Sequence, residues 1–388
     1  MKQFILITVL AMYSFSTLHS QDASVSALVL DEKGAPVPFA SVYNSNTRRG
    51  VITNEEGRFQ LDAQPTDVIV IRYLGYEEHK NSAEQLQKEG IIRLKEQIFS
   101  LDEVVVTPNT IDPVSIVKKF RFRIPTNYPR KAAQINGVYK AYSLIENEYA
   151  TFFQCDVDIL VKSLGSVRRP DFKTKVYGYK SFRHSDDSVR RWNINSESAF
   201  SLFCPYMYHF LGEYKKNHYQ HDGFTTYSDS RLIRISFSPK QIDKSVKQYA
   251  GTMYIDPKSF AMVYLHYEML PNELDFQRSK HGHWQKTTKM ETKIMFEPHN
   301  GLYYPAYVIS KLTGQVDASG KNNHQEAVNV DIVYNFFTKN VEYNPKVFIA
   351  DDFSIDQLRS NSTLDRSDYK SNLVLETEKE KQFFNSLK

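Results

Sequence analysis

From Val25 onward, apolar and polar positions alternate along most of the chain, and a period of two predicts strands. Val25, Ala27 and Val29 fall on one face, with Ser24, Ser26 and Leu28 on the other. Asp31-Glu32-Lys33-Gly34 then turns the chain, and Pro36 and Pro38 hold it extended into Ala40-Ser41-Val42-Tyr43. Gly50 precedes Val51-Ile52-Thr53, and Asn54-Glu55-Glu56-Gly57 makes a second turn before Arg58-Phe59-Gln60-Leu61. Val68 to Ile71, closed by Gly75-Tyr76, and Ile91 to Leu94 add two more strands. Short strands separated by turn residues predict a β-sandwich over residues 21–107.

The pattern changes over residues 108–135, a basic and partly helical connector. Ile111, Val114, Ile116, Val117 and Phe120 are spaced to cover one helix face, and Asp112-Pro113 is a start signal. Lys118, Lys119, Arg121 and Arg123 follow, and the plain expectation is a solvated helix end favoured by its dipole. Alternation returns over residues 136–345. Ile233, Ile235 and Phe237 share a face, as do Thr292, Ile294 and Phe296, and Val328, Val330, Ile332, Tyr334 and Phe336. Gly251 to Pro257 and Phe260 to Met269 read as two strands joined at a proline turn. Residues 346–388 form a polar tail, partly helical. The fold class expected is mainly β: an N-terminal sandwich, then a larger antiparallel, curved sheet with a few helices.

Composition narrows the function. The 388 residues are 41% apolar, enough for more than one core, and 25 tyrosines and 25 phenylalanines against 15 glycines suit half-buried strands. A net charge of +4 is too small for a whole-protein nucleic-acid signature. Residues 1–20 read as a secretory signal: Lys2 precedes an apolar stretch from Phe4 to Phe15, shorter than a membrane span. The chain is therefore expected to be exported, to the periplasm or the outer membrane. In that oxidising setting Cys155 and Cys204 either pair or remain two buried thiols; the sequence leaves both open.

The run from Asp31 to Val42, then Gly50, Thr53-Asn54-Glu55-Glu56-Gly57-Arg58-Phe59 and Gly75-Tyr76, resembles the carboxypeptidase regulatory-like domain. The Leu101-Asp102-Glu103-Val104-Val105-Val106-Thr107 run is similar to the segment that follows this domain in envelope proteins, including TonB-dependent receptors. The resemblance implies a small transthyretin-like sandwich without catalytic residues of its own. Asn127-Tyr128-Pro129, Gly137-Val138-Tyr139 and the stretches Ile235 to Phe237 and Tyr249 to Asp256 resemble Gram-negative envelope proteins that carry this domain at their N-terminus. Their strand pattern is also similar to the curved sheet of periplasmic lipoprotein carriers, which implies an apolar face able to hold acyl chains.

The sequence lacks a P-loop, a Gly-x-Ser-x-Gly elbow and a His-Glu-x-x-His motif, so neither an enzyme activity nor a cofactor is expected. His209 and Glu213, four apart as on a helix, with His218 and His221, are weak metal-ligand candidates; a Tyr-rich core element is the default. His281-Gly282-His283 is weaker still. Arg168, Arg169, Lys173, Lys175, Arg183, Arg190 and Arg191, interleaved with aromatics, form a candidate anionic-ligand patch against the default of an exposed strand face. The expected function is an envelope docking or binding module at the periplasmic face of the outer membrane. Its partner would be an apolar ligand such as a lipid, a partner protein or a TonB-dependent transporter component, and not nucleic acid. The alternatives are a hydrolase of envelope material and a membrane-integrated accessory of such a transporter.

Overall fold

The structure, a computed structural model, describes residues 24–97, 111–166, 171–184, 196–228, 230–278, 284–317, 324, 327–351, 355, 364–365 and 369–387. The expected signal, the 101–107 run, Arg168, Arg169, Arg190, Arg191 and His281-Gly282-His283 lie outside these residues. The chain divides into two compact units, Met1–Glu96 with Val374–Glu380 and Gln97–Leu373 with Lys381–Lys388.

The first unit contains β1 (Ser24–Leu30), β2 (Ser41–Asn44), β3 (Gly50–Ile52), β4 (Arg58–Asp62), β5 (Val68–Arg72), β6 (His79–Ser82) and β7 (Ile91–Arg93). Two sheets result, ordered β4-β1-β7 and β3-β2-β5-β6, with β1 and β7 the parallel pair. Val25, Ala27 and Val29 point into one core with Val42, Phe59, Leu61, Ile69 and Ile71, as the alternation requires. At the second turn Asn54 Oδ1 accepts from Glu56 N (3.0 Å) and Arg58 N (2.9 Å), while Gly57 sits at φ 76°, where a Cβ would strike the Val29 carbonyl. A helix not expected here, α1 (Ala83–Glu89), joins β6 to β7. Ser82 caps its first turn by accepting from Gln85 N, and left-handed Gly90 ends it. The tail contributes too: Val374 bridges Ile52, and Thr377 and Glu380 cap each other's amides at 3.1 and 3.2 Å.

The second unit begins with α2 (Pro113–Asn127), whose N-cap Asp112 accepts from Val114 N and Ser115 N, both at 3.1 Å. Ile116, Val117, Phe120 and Ile124 are its buried face. Lys118, Lys119 and Arg123 are exposed and Arg121 half-buried, but the last turn carries no basic residue, so the helix dipole does not account for the four cations. Instead Lys118 Nζ lies 5.4 Å over the Tyr214 ring, Lys119 Nζ 4.8 Å over Phe260, and Arg121 donates to the Tyr208 carbonyl at 3.3 Å.

The strands that follow are β8 (Ala133–Ile145), β9 (Glu148–Val161) and β10 (Phe172–Arg183), then, after helix α3 (Ser196–Ser201) and two short 3-10 turns (Pro205–Met207, His209–Gly212), β11 (Asn217–Tyr227), β12 (Ser230–Pro239) and β13 (Tyr249–Ile255). Next come β14 (Met262–Met269), β15 (Gln277–Arg278), β16 (Trp284–His299), β17 (Leu302–Asp317), β18 (Val328–Tyr343) and β19 (Leu364–Asp365), and last α4 (Glu378–Ser386). One antiparallel sheet runs β11-β12-β13-β14-β16-β17-β18-β8-β9-β10-β19, with β15 paired to β16. Hairpins account for most of the order; among the described residues β18 to β8 and β10 to β19 join strands distant in sequence. Among the described residues β11 and β19 are its two edges, and they do not pair with each other.

Candidate functional site

Residues directly opposite in a ladder share a face, so the register traces what each face presents. One row runs through Ile235, Met253, Leu265, Ile294, Val308 and Phe336 and continues to Tyr139 and Cys155. None of these eight is more than 2% exposed. The adjoining row contains Phe237, Tyr267, Thr292, Ser310, Tyr334 and Phe153, and its two hydroxyls Thr292 Oγ1 and Ser310 Oγ satisfy each other at 2.8 Å. A continuous apolar face thus crosses the sheet.

The chain itself roofs that face between β10 and β11. Phe200 stands 5.3 Å from Tyr139 and 6.1 Å from Phe336, and Phe203 is 4.8 Å from Phe336. Phe210 lies 4.9 Å from Tyr249 and 5.1 Å from Tyr267, with Tyr208 6.1 Å from Tyr267. Among the polar contacts that hold the roof, Asn217 Nδ2 donates to Phe210 O (2.8 Å), Tyr219 OH to Leu211 O (2.9 Å), Tyr208 OH to Leu202 O, and Arg121 to Tyr208 O. Beside it Tyr128 OH donates to Met262 O at 2.9 Å and accepts from Met262 N at 3.1 Å. Burial holds the phenols of Tyr128, Tyr208, Tyr267 and Tyr334 above the ordinary tyrosine value and pushes the Cys204 thiol up to about 12. These groups stay protonated at neutral pH and offer no nucleophile.

The opposite face is mixed. Toward β8, β9 and β10 it gathers Tyr142, Tyr149, Phe152, Val333 and Phe182, on which Phe383 and Phe384 of α4 pack. Toward β14 and β16 it is charged. His266 Nε2 lies 3.0 Å from Glu291 Oε1 and 3.7 Å from Glu268 Oε1, and Lys293 Nζ is 2.8 Å from the same Glu291 oxygen. Burial works against ionising Glu291, but Lys293 and His266 outweigh it and hold its carboxyl below the usual value.

The metal candidates do not converge. The i, i+4 helix expected for His209 and Glu213 is a single 3-10 turn with Glu213 at its end; His209 Nδ1 is 3.2 Å from Met207 O and Glu213 pairs with Lys216 at 3.1 Å. His218 opposes Ser238 while His221 opposes Ile235, which puts the two imidazoles on opposite faces of β11. The basic patch is split as well. Lys173 and Lys175 oppose Leu160 and Asp158, but the bulge between Val176 and Gly178 shifts the register, and Arg183 opposes Thr151 on the other face. Cys155 and Cys204 are buried thiols without a disulfide between them. The group that sequence reading missed is His266, Glu268 and Glu291. Its signal was two ligand-type residues two apart on a strand, but the third member depends on the pairing register.

Residues 26–106 match the family model of the CarboxypepD_reg-like domain. Two curated relatives match in the N-terminal region: TonB-dependent receptor P39 of Formosa agariphila, 32% identical over 104 residues (26% of this chain, 10% of the receptor), and TonB-dependent receptor SusC of Bacteroides thetaiotaomicron, 38% identical over 88 residues (22% and 8%). The matched part of this chain spans a tenth or less of those receptors. Among solved structures, the chain is similar to an outer membrane lipoprotein-sorting protein domain from Vibrio parahaemolyticus, with a TM-score of 0.26, 8% identity and coverage of 61% of this chain and 94% of the other. A LolA superfamily protein from Nitrosomonas europaea gives 0.23, 10%, 61% and 96%. Both scores lie below those of a shared fold.

Proposed function

We propose that this is a non-enzymatic protein of the bacterial cell envelope that binds an apolar ligand, or an apolar segment of a partner protein, on the face of its large sheet. In this reading it is exported to the periplasmic side of the outer membrane, and its N-terminal sandwich is a docking module. The observation that carries the reading is the aromatic roof: Phe200, Phe203, Tyr208 and Phe210 lie on the apolar rows as a ligand would. Replacing them with an acyl chain exchanges one apolar partner for another, so the two states differ by little compared with the burial each provides. The match of residues 26–106, together with receptors named TonB-dependent, supports the location and a transporter component as partner.

The hydrolase alternative needs a base and an acid converging in a cleft, whereas the rows of the apolar face carry paired hydroxyls, protonated phenols and an inert thiol, with the His221 imidazole on the edge strand β11. A membrane-integrated sheet needs an apolar band toward lipid, but the face opposite the roof carries His266, Glu268, Glu291, Lys293 and Lys311.

Titration of the full chain with a fluorescent fatty-acid probe tests the reading. Burying a Phe side chain stabilises by about 1.5–3 kcal/mol. Weakening the roof by Phe203→Ala therefore raises the competent fraction, and the apparent affinity rises about tenfold or more. Saturable binding that tightens in the variant is the expected result. Absence of binding in both proteins, or equal affinity in the two, overturns the reading.

A further inference from the structure

We propose that His266, Glu268 and Glu291 form a zinc site on the face of the sheet away from the aromatic roof. The proposal does not depend on what occupies the apolar face. All three side chains rise from strands, not loops. Glu268 of β14 is directly opposite Glu291 of β16, and His266, two residues before Glu268, opposes Lys293 and lies diagonal to Glu291. The period of two and the antiparallel register therefore bring an imidazole and two carboxylates to one point without help from a turn.

The spacing suits a small tetrahedral ion. Zinc bonds to His nitrogen and carboxylate oxygen of about 2.0–2.2 Å give ligand-to-ligand edges of about 3.3–3.6 Å. The edges from His266 Nε2 are 3.0 Å to Glu291 and 3.7 Å to Glu268, and all three ligand atoms lie within 4.8 Å of one another. Shifts of a few tenths of an ångström bring the first two edges to the ideal. A mixed imidazole and carboxylate set favours zinc over calcium and magnesium, which seek six or more oxygens. Two carboxylates offset the charge of a dication, and with His266 33% and Glu268 51% exposed at the side chain the fourth position opens to solvent, for water or an anionic ligand oxygen.

Two carboxylates directly opposite on a sheet repel each other unless a cation lies between them. Lys293 supplies part of that charge, its ammonium 2.8 Å from the Glu291 oxygen that would ligate. The next strand contributes Lys311 opposite Glu291, itself paired with Asp331 at 3.2 Å, and β13 contributes Thr252 opposite His266. Zinc would displace Lys293 toward solvent, so the lysine competes with the metal.

That competition gives the test its sign. Calorimetric titration of the tag-free full chain with zinc is expected to show one site. His266→Ala or Glu291→Gln should weaken it about tenfold or more, and Lys293→Met should strengthen it by a similar factor. Calcium and magnesium should not compete. If the three residues are only an ion-pair cluster, Lys293→Met brings no gain. X-ray absorption at the zinc edge keeps the outcome decisive should a variant fold poorly: one nitrogen and two or three oxygens are expected. Sulfur in the first shell, zinc affinity unchanged in His266→Ala, or no one-site binding by the native chain overturns the proposal.

Discussion

At the residue scale the decisive fact is how deeply the tyrosines are buried. Tyr128, Tyr139 and Tyr208 are among the largest side chains with almost no exposure, and Tyr267 and Tyr334 of the apolar rows are buried as well. Burial raises the phenol values of Tyr128, Tyr208, Tyr267 and Tyr334 above the ordinary 10.0. The native state then holds protons that the unfolded chain releases, so stability is full below about pH 10 and falls as pH rises through the folded values. Denaturant midpoints are expected to hold up to about pH 10 and drop above it, with the phenolate absorbance of these residues appearing together with unfolding. Ionisation of all tyrosines near the ordinary value with the sheet intact would contradict this burial. The same scale shows what alternation can and cannot give. It assigned Val25, Ile235 and Phe296 to a core, and they are there. It could not reveal the bulge between Val176 and Gly178 that sends Arg183 away from Lys173, because an extra residue in one strand leaves no mark without its partner.

At the scale of elements, capping chemistry made some helices legible and tertiary contacts hid others. Asp112-Pro113 announced α2, and its side chain does cap the helix. Ser82 and Gln85 with Gly90 carried the same type of signal for α1, but the surrounding strands drew the reading away from it. The Tyr-rich stretch around His209 signalled burial, but not which strands it would cover. The roof's helix α3 and two 3-10 turns are short, and they are held by Phe200, Phe203 and Phe210 meeting strands far away in sequence. Cys204 lies within this roof, 1% exposed and with its thiol pushed up to about 12 by burial. It is therefore a reporter of roof opening. A thiol reagent at pH 8 should leave Cys204 unlabelled in the native chain and label it in Phe203→Ala at a rate that follows probe binding. Rapid labelling of Cys204 in the native chain would mean that the roof does not seal the face.

For the whole molecule, the sequence was enough to read two successive β-rich units, since each carries its own alternation and its own core. It was silent on the return of Val374 to Glu380 to the first unit, because a single bridge between Ile52 and Val374 has no periodic signature. Nor did it give the strand order, in which β18 pairs with β8 and so closes a long excursion of chain. Nor did any motif announce the cluster of ligand-type groups, His266, Glu268 and Glu291, which only the pairing of β14 with β16 brings together. The central claim is that the roofed face of the large sheet exists to hold something apolar. Native mass spectrometry of the chain purified from its own cell envelope, without denaturant, tests it most directly. The account predicts a ligand-bound mass, a lipid or an apolar peptide, that disappears when the Phe203 roof is locked down and grows when it is loosened. A chain that leaves the envelope with only its polypeptide mass, and acquires none when lipid extract is added back, would contradict it.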